Sequence, residues 1–199
     1  VGSEMCIRDR HYLKIGEETA YLHLNREPRF YANLSFDRGT WYGYGYASDE
    51  PKDLAFYKFR AKEVSGRITS EDYSYTGYLN KKVCSYKTSV TDNGLSTERY
   101  AFPIIRLADL YLMYAEALNN ISEGTHYQVA SWDGSQTYDI FRDKEQMRRG
   151  VKPVRMRAGV PDYSDEVYEN PKKFFEKIVH ERQIEFLSLI HISEPTRLL

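Results

Sequence analysis

The stretch PIIRLADLYLMYAEALNN, Pro103–Asn120, decides the fold. Leu, Met, Ala and Glu dominate it, and all are good helix formers. Pro103 suits the first helical turn, where its missing N–H is not needed. Ile104, Leu107, Leu110, Tyr111, Tyr114, Ala115 and Leu118 recur at three- and four-residue spacing, the period of one helix face. Ile105, Ala108, Leu112 and Met113 fill much of the other side. A helix apolar on two sides is expected to lie between partners, as in a stack of helical repeats. Asn119 and Asn120 end it.

Working outward, Pro171–Phe186 (PKKFFEKIVHERQIEF) predicts a second strong helix, and Tyr138–Arg149 a more charged one. Gly150–Pro161 (GVKPVRMRAGVP) reads as a basic, irregular segment because Gly150, Pro153, Gly159 and Pro161 interrupt it. The basic run Arg148, Arg149, Lys152, Arg155 and Arg157 is expected to be solvated or paired with carboxylates. Glu181, Arg182 and Glu185, and Arg106 with Asp109, sit at helical ion-pair spacing. Ile121–Gln136 reads as a polar loop containing Trp132.

Upstream, Pro28 ends any helix and biases Glu27 toward an extended backbone. Phe30, Ala32, Leu34 and Phe36 then alternate with Tyr31, Asn33 and Ser35, which predicts a short strand. His11–Leu24 has the mixed polarity of a helix end. Asp37–Asp53 (DRGTWYGYGYASDEPKD) reads as a glycine-loosened loop loaded with rings, either a tight aromatic hairpin or a display loop for a flat ligand. Leu54–Lys87 suggests one or two strands with turns. Thr88–Glu98 suggests an exposed loop around the turn pair Asn93–Gly94.

Composition bounds the function. The 199 residues carry a formal net charge of -1, which argues against a nucleic-acid partner. There is no phosphate loop, no His-Glu-x-x-His pair and no nucleophile elbow. His11, His23, His126 and His180 are scattered, whereas a metal site needs clustered ligands. No cofactor is expected. The 18 Tyr raise the aromatic content to 15%, and such rings suit half-wet surfaces. The aromatic loop is therefore the candidate ligand site. Trp41, Tyr42, Tyr44 and Tyr46 would stack on the C–H faces of a sugar, and Arg38 and Asp49, with Asp37, would bind its hydroxyls. The competing reading is that these rings anchor the loop to the core.

Both ends read as non-native. One coding of LSLIHISEPTR (Leu187–Arg197) has a reverse complement that, in a shifted frame, encodes VGSEMCIRD, and the chain begins VGSEMCIRDR. The two ends thus fit opposite strands of one DNA sequence, identified as a library-preparation adapter. Residues 1–10 and 187–199 are expected to be adapter-encoded, leaving 11–186 as a partial domain whose native ends, signal and lipid-bearing cysteine lie outside it. Cys6 then drops out, and Cys84 alone builds neither a disulfide framework nor a metal site.

Four blocks together resemble the SusD/RagB family: NREPRFYANLSFD (Asn25–Asp37), FPIIRLADLYLMYAEALNN (Phe102–Asn120), VRMRAGVP (Val154–Pro161) and IVHERQIEF (Ile178–Phe186). Asp143–Lys152 departs from the smooth helix the family shows before its RAG block. The resemblance implies a mainly α fold of tetratricopeptide-like helical pairs with long loops and a few short strands. It implies a lipoprotein on the surface of the outer membrane that binds an oligosaccharide or polysaccharide, or less often a peptide. It also implies a SusC-like TonB-dependent transporter as partner in nutrient uptake, with no catalysis. A glycoside hydrolase on a helical scaffold and a helical-repeat protein-binding scaffold are the rival readings.

Overall fold

The computed structural model describes residues 12–187, except 15, 42–54, 70, 72, 83, 84, 86, 88, 92, 93, 98 and 100–102. Cys84, Asn93 and both adapter-like termini beyond these limits lie outside the described residues. The chain divides into two compact units, residues 1–102 and 103–199.

In the second unit, α2 (Leu107–Asn119) packs on α3 (Lys144–Arg157) and on α5 (Pro171–Glu185), with the short α4 (Asp165–Glu169) between. A hairpin of β7 (His126–Ala130) and β8 (Thr137–Phe141) separates α2 from α3. The core is the inward face of each helix: Ala108, Leu112, Ala115 and Leu118 of α2, Met147, Val151 and Val154 of α3, and Phe174 and Ile178 of α5. Tyr168 of α4 and Phe186 complete it. Local chemistry starts the helices where the backbone needs partners. The Asp143 carboxylate accepts from the Gln146 N–H at 2.7 Å, and the Asn170 amide oxygen from the Lys173 N–H at 3.0 Å. Pro171 then sits in the first turn of α5.

Four expectations change here. The first helix begins at Leu107, four residues after Pro103, because Arg106 is extended at its N-cap. Its outer side is not covered: Leu107 is 62% exposed and Leu110 50%. The double-sided burial expected from the sequence is therefore absent among the described residues. Tyr138–Arg149 is not one helix, since Thr137–Phe141 is a strand and the helix starts at Lys144. That helix runs through Gly150 and Pro153 to Arg157. A proline inside a helix costs about 3 kcal/mol. Burial of Met147, Val151 and Val154 at i, i+4 and i+7, together with the ion pairs described below, outweighs it.

Gly150 has a separate role, because α3 crosses α2 closely at this point. A Cβ there would lie 2.5 Å from the Tyr111 carbonyl oxygen and 2.9 Å from Ala115 Cβ.

The first unit is built from short pieces: a 3-10 turn (Tyr21–His23), α1 (Pro28–Asn33), and the antiparallel pairs β1 (Leu34–Ser35) with β4 (Leu79–Asn80), β2 (Thr40–Trp41) with β3 (Ala55–Phe56), and β5 (Ser89–Thr91) with β6 (Gly94–Ser96). Glu27 is extended, as expected, but Pro28 opens a helix instead of blocking one, and the strand shrinks to Leu34–Ser35. Among the described residues of His11–Leu24 there are only the 3-10 turn and an isolated bridge from Leu13 to Gly39. The core is aromatic. Tyr31 stacks on Tyr12 at 4.5 Å, and Phe36 is fully buried beside Phe30.

His23 is buried within this core. The Thr19 hydroxyl donates its proton to the Asp37 carbonyl at 2.5 Å, so it can only accept from His23 Nδ1 at 2.7 Å. The neutral ring thus carries its proton on Nδ1, and Nε2 accepts from the Tyr78 hydroxyl at 2.9 Å. Burial pushes the His23 pKa down, against an opposing pull from Asp37 and with help from Arg26.

Two outcomes follow. Gly150→Ala, which would stabilise an exposed helix, is expected to destabilise this one by about 1–3 kcal/mol in urea unfolding. A depressed histidine pKa contributes stability that is fully present above 6.5 and is lost as the pH falls below that value toward the folded pKa. The melting temperature is therefore expected to drop on acidification through this window, with a shallower drop in His23→Gln.

Candidate functional site

Trp41 ends β2, with Thr40 opposite Phe56 and Trp41 opposite Ala55. Trp41 is the last described residue before the sequence of the aromatic loop. The register continues inward, where the Tyr57 N–H donates to the Gly39 carbonyl and the Arg38 N–H to the Tyr57 carbonyl, both at 2.9 Å. Trp41 is half-buried and meets Tyr57 edge to face at 6.5 Å; Tyr57 in turn stacks on Phe59 at 5.8 Å. The result is a short row of rings. Lys81 closes one side, donating to the Thr40 carbonyl at 2.9 Å and the Tyr31 carbonyl at 3.0 Å, with its ammonium 5.7 Å from the Tyr57 ring. Burial pulls its pKa down to about 8.

Arg38 does not reach outward. It is 5% exposed, and its guanidinium contacts three carboxylates. It donates to both oxygens of Glu63, at 2.9 and 2.7 Å, and to Asp37 at 3.2 Å, while its Nε lies 2.9 Å from Glu17. Its head is also 5.8 Å from the Phe56 ring. Asp37 accepts from the Phe59 N–H and from Arg60 Nε, each at 3.0 Å. The hydrogen bond from Arg38 holds the Glu63 carboxyl below its ordinary pKa. Arg38 and Asp37, read from the sequence as ligand hydrogen-bonders, are held here by ion pairs and by the Phe59 N–H. Tyr42, Tyr44, Tyr46 and Asp49 lie outside the described residues.

The sequence reading passed over two other features, both in the second unit. The polar segment after α2 contains the β7–β8 hairpin, whose tip carries Trp132 at 99% exposure. The alternation of Tyr127 and Val129 with Gln128 was the available clue. A cavity of about 540 Å³ lies at the end of α2 and start of α5, lined by Asn119, Glu123, Arg142, Lys172 and Phe175 among others. Arg142 there donates to the Asn119 amide oxygen at 3.1 Å and the Tyr168 carbonyl at 2.6 Å, tying the end of α2 to α4. Among the described residues no group of three or more His, Cys, Asp or Glu could hold a metal ion, and no helix is long and apolar enough to cross a membrane.

Arg38 also has a left-handed backbone, with φ of +68°. Losing its guanidinium strands the carboxylates it joins, so Arg38→Ala and Arg38→Gly should both lower the unfolding midpoint. Glycine adopts this backbone freely, so the Gly variant should be the more stable of the two by about 1 kcal/mol in denaturant titration.

Three comparisons with known proteins bear on this geometry. The sequence pattern of the SusD family matches residues 3–188. No curated protein matches the chain. The solved structure of selenomethionine BT4246 is similar, with a TM-score of 0.61 at 23% identity, over 94% of this chain and 29% of that one. That likeness is one of fold, and the chain spans under a third of that relative's length. The match to the family pattern runs through both compact units and all four motif blocks, and the chain belongs to the SusD family.

Proposed function

We propose that this chain is part of a cell-surface glycan-binding subunit of a TonB-dependent nutrient-uptake complex. The SusD family is known for glycan binding in nutrient uptake. The observation that carries the reading to this chain is the row Trp41, Tyr57 and Phe59, on segments that the Arg38 N–H joins at the Tyr57 carbonyl. Pyranose rings present C–H faces that pack on aromatic rings, and exposed loops on a rigid base are where binding groups concentrate. Tyr42, Tyr44, Tyr46 and Asp49, which follow Trp41 in the sequence, are proposed to contribute to the same site together with Arg38.

The whole protein acts as a binding protein and not as an enzyme in this reading. It is tethered to the outer membrane by a lipid anchor, with a SusC-like transporter as partner. The exposed side of α2 is proposed to receive a further helix of the full-length protein, completing tetratricopeptide-like pairing. The apolar residues Leu107, Leu110, Met113 and Tyr114 on that side support it. Residues 1–10 and 187–199 remain proposed as adapter-encoded, on the complementarity of their codings.

The test is calorimetric titration of soluble polysaccharides against wild type and Trp41→Ala. Loss of one stacked ring is expected to weaken binding about fivefold to tenfold, or about 1–1.4 kcal/mol. Unchanged affinity would remove Trp41 from the site.

A further inference from the structure

Apart from half-buried Ser131 in the turn, the β7–β8 hairpin is exposed on both faces from His126 to Asp139. An isolated two-stranded hairpin is marginal in water, so its side chains must supply a reason for its existence. Its register places Tyr127 opposite Ile140, Gln128 opposite Asp139 and Val129 opposite Tyr138. Because strand side chains alternate, one face carries His126, Gln128 and Asp139, and the other Tyr127, Val129, Tyr138 and Ile140. The first face satisfies itself. Asp139 accepts from Gln128 at 2.8 Å and pairs with His126 at 2.8 Å, and His126 stacks on Phe141 at 4.7 Å.

The second face does not. Ile140 packs on the helical core, but Tyr127 is 55% exposed and Tyr138 50%. Beyond them the turn presents Trp132 with almost its whole surface in water. That turn is rigidly built. The Gly134 N–H donates to the Ser131 carbonyl at 3.0 Å, with Gly134 at φ +69°. Asp133 accepts from the Ser131 hydroxyl at 2.6 Å and from the Ser135 N–H at 3.1 Å and hydroxyl at 2.8 Å. These bonds push its pKa down to about 2. The Tyr138 hydroxyl donates to the Gln136 side chain at 3.0 Å.

We propose that this hairpin is a second carbohydrate-contact surface, in which Trp132, Tyr127 and Tyr138 stack on sugar rings and Asp133 and Gln136 accept from sugar hydroxyls. The inference rests on the reading that this family member binds glycans. Size favours a sugar over a folded partner. Two five-residue strands make a face about 17 Å long and 10 Å wide, or about 170 Å². A stable protein interface needs about 800 Å² on each side. A face of that size suits a short run of sugar rings. Rings beside fixed anionic and amide acceptors also match a ligand that is apolar on its faces and hydroxylated at its rim.

The chain has two tryptophans, Trp41 and Trp132, so each can be read alone. In the 199-residue chain, Trp41→Phe leaves Trp132 as the sole indole, and Trp132→Phe leaves Trp41. Maltoheptaose, xylohexaose and mannohexaose are titrated against each variant by intrinsic fluorescence and against Trp132→Ala by calorimetry. The expected result is a saturable shift in Trp132 emission with at least one sugar, and at least threefold weaker binding of that sugar to Trp132→Ala. A response confined to Trp41, with unchanged affinity in Trp132→Ala, would overturn the hairpin site and leave the glycan-binding reading standing. Absence of binding by all three sugars would overturn both. A Trp132 shift that appears on self-association or with phospholipid vesicles, and with no sugar, would also overturn it by naming a different occupant. Circular dichroism of each variant separates loss of the site from loss of the fold.

Discussion

Two buried glutamates on α5 order the helical unit. Glu181 and Glu185 are 1% and 2% exposed, and each meets arginines supplied by other elements. Arg155 of α3 donates to Glu181 at 2.5 Å, and the Tyr163 hydroxyl adds a bond to the same oxygen at 3.1 Å. Glu185 is held by Arg157 of α3 and by Arg106, at 2.7 Å, from the N-cap of α2. Arg182 reaches the other way, to Asp109 of α2 at 2.9 Å. A buried carboxylate left without its partner costs about 3–5 kcal/mol, so these pairs admit one registry of three helices and penalise the rest. The Arg-Met-Arg and Glu-Arg-x-x-Glu blocks are two halves of one lock, which explains why they stand at their given spacing from the Leu107–Asn119 helix.

The arginines are also shielded by rings. Arg155 lies 3.9 Å above the Tyr163 ring, and Arg106 and Arg182 lie 5.6 and 5.5 Å from Phe186. This places a cation against the electron-rich face of a ring on one side and a carboxylate on another. The apolar core and the charged lock therefore share Phe186. The same device recurs in the first unit, where Arg38 draws Glu17, Asp37 and Glu63 together beneath the Phe56 ring.

Much of this architecture was legible in the sequence, and the failures have physical causes. The Leu107–Asn119 and Pro171–Glu185 helices were plain because propensity and period agree there. The helix over Lys144–Arg157 was hidden because Gly150 and Pro153 argue locally against it, while the helix crossing and the carboxylates that favour it come from distant residues. The Pro28–Asn33 helix was hidden by an apolar alternation that a single helical turn can also satisfy. Ion pairs were read within one helix, as Arg106 with Asp109, when the folded chain crosses them to Glu185 and Arg182. At the candidate site, the rings were legible by type, but the burial of Arg38 was not. A charged residue in a glycine-rich loop looks solvent-facing until its three acids are brought to it. Trp132 was overlooked because its neighbours are small and polar, the composition of a plain loop.

On the proposed reading, the locked helices serve as scaffold and the aromatic hairpins as contact surface. Amide hydrogen exchange with and without saturating oligosaccharide tests that division most directly. Slower exchange at Thr40–Trp41 and across His126–Phe141, with the α2, α3 and α5 amides unchanged, is the predicted pattern. Protection confined to the helices, with both hairpins unaffected, would contradict it.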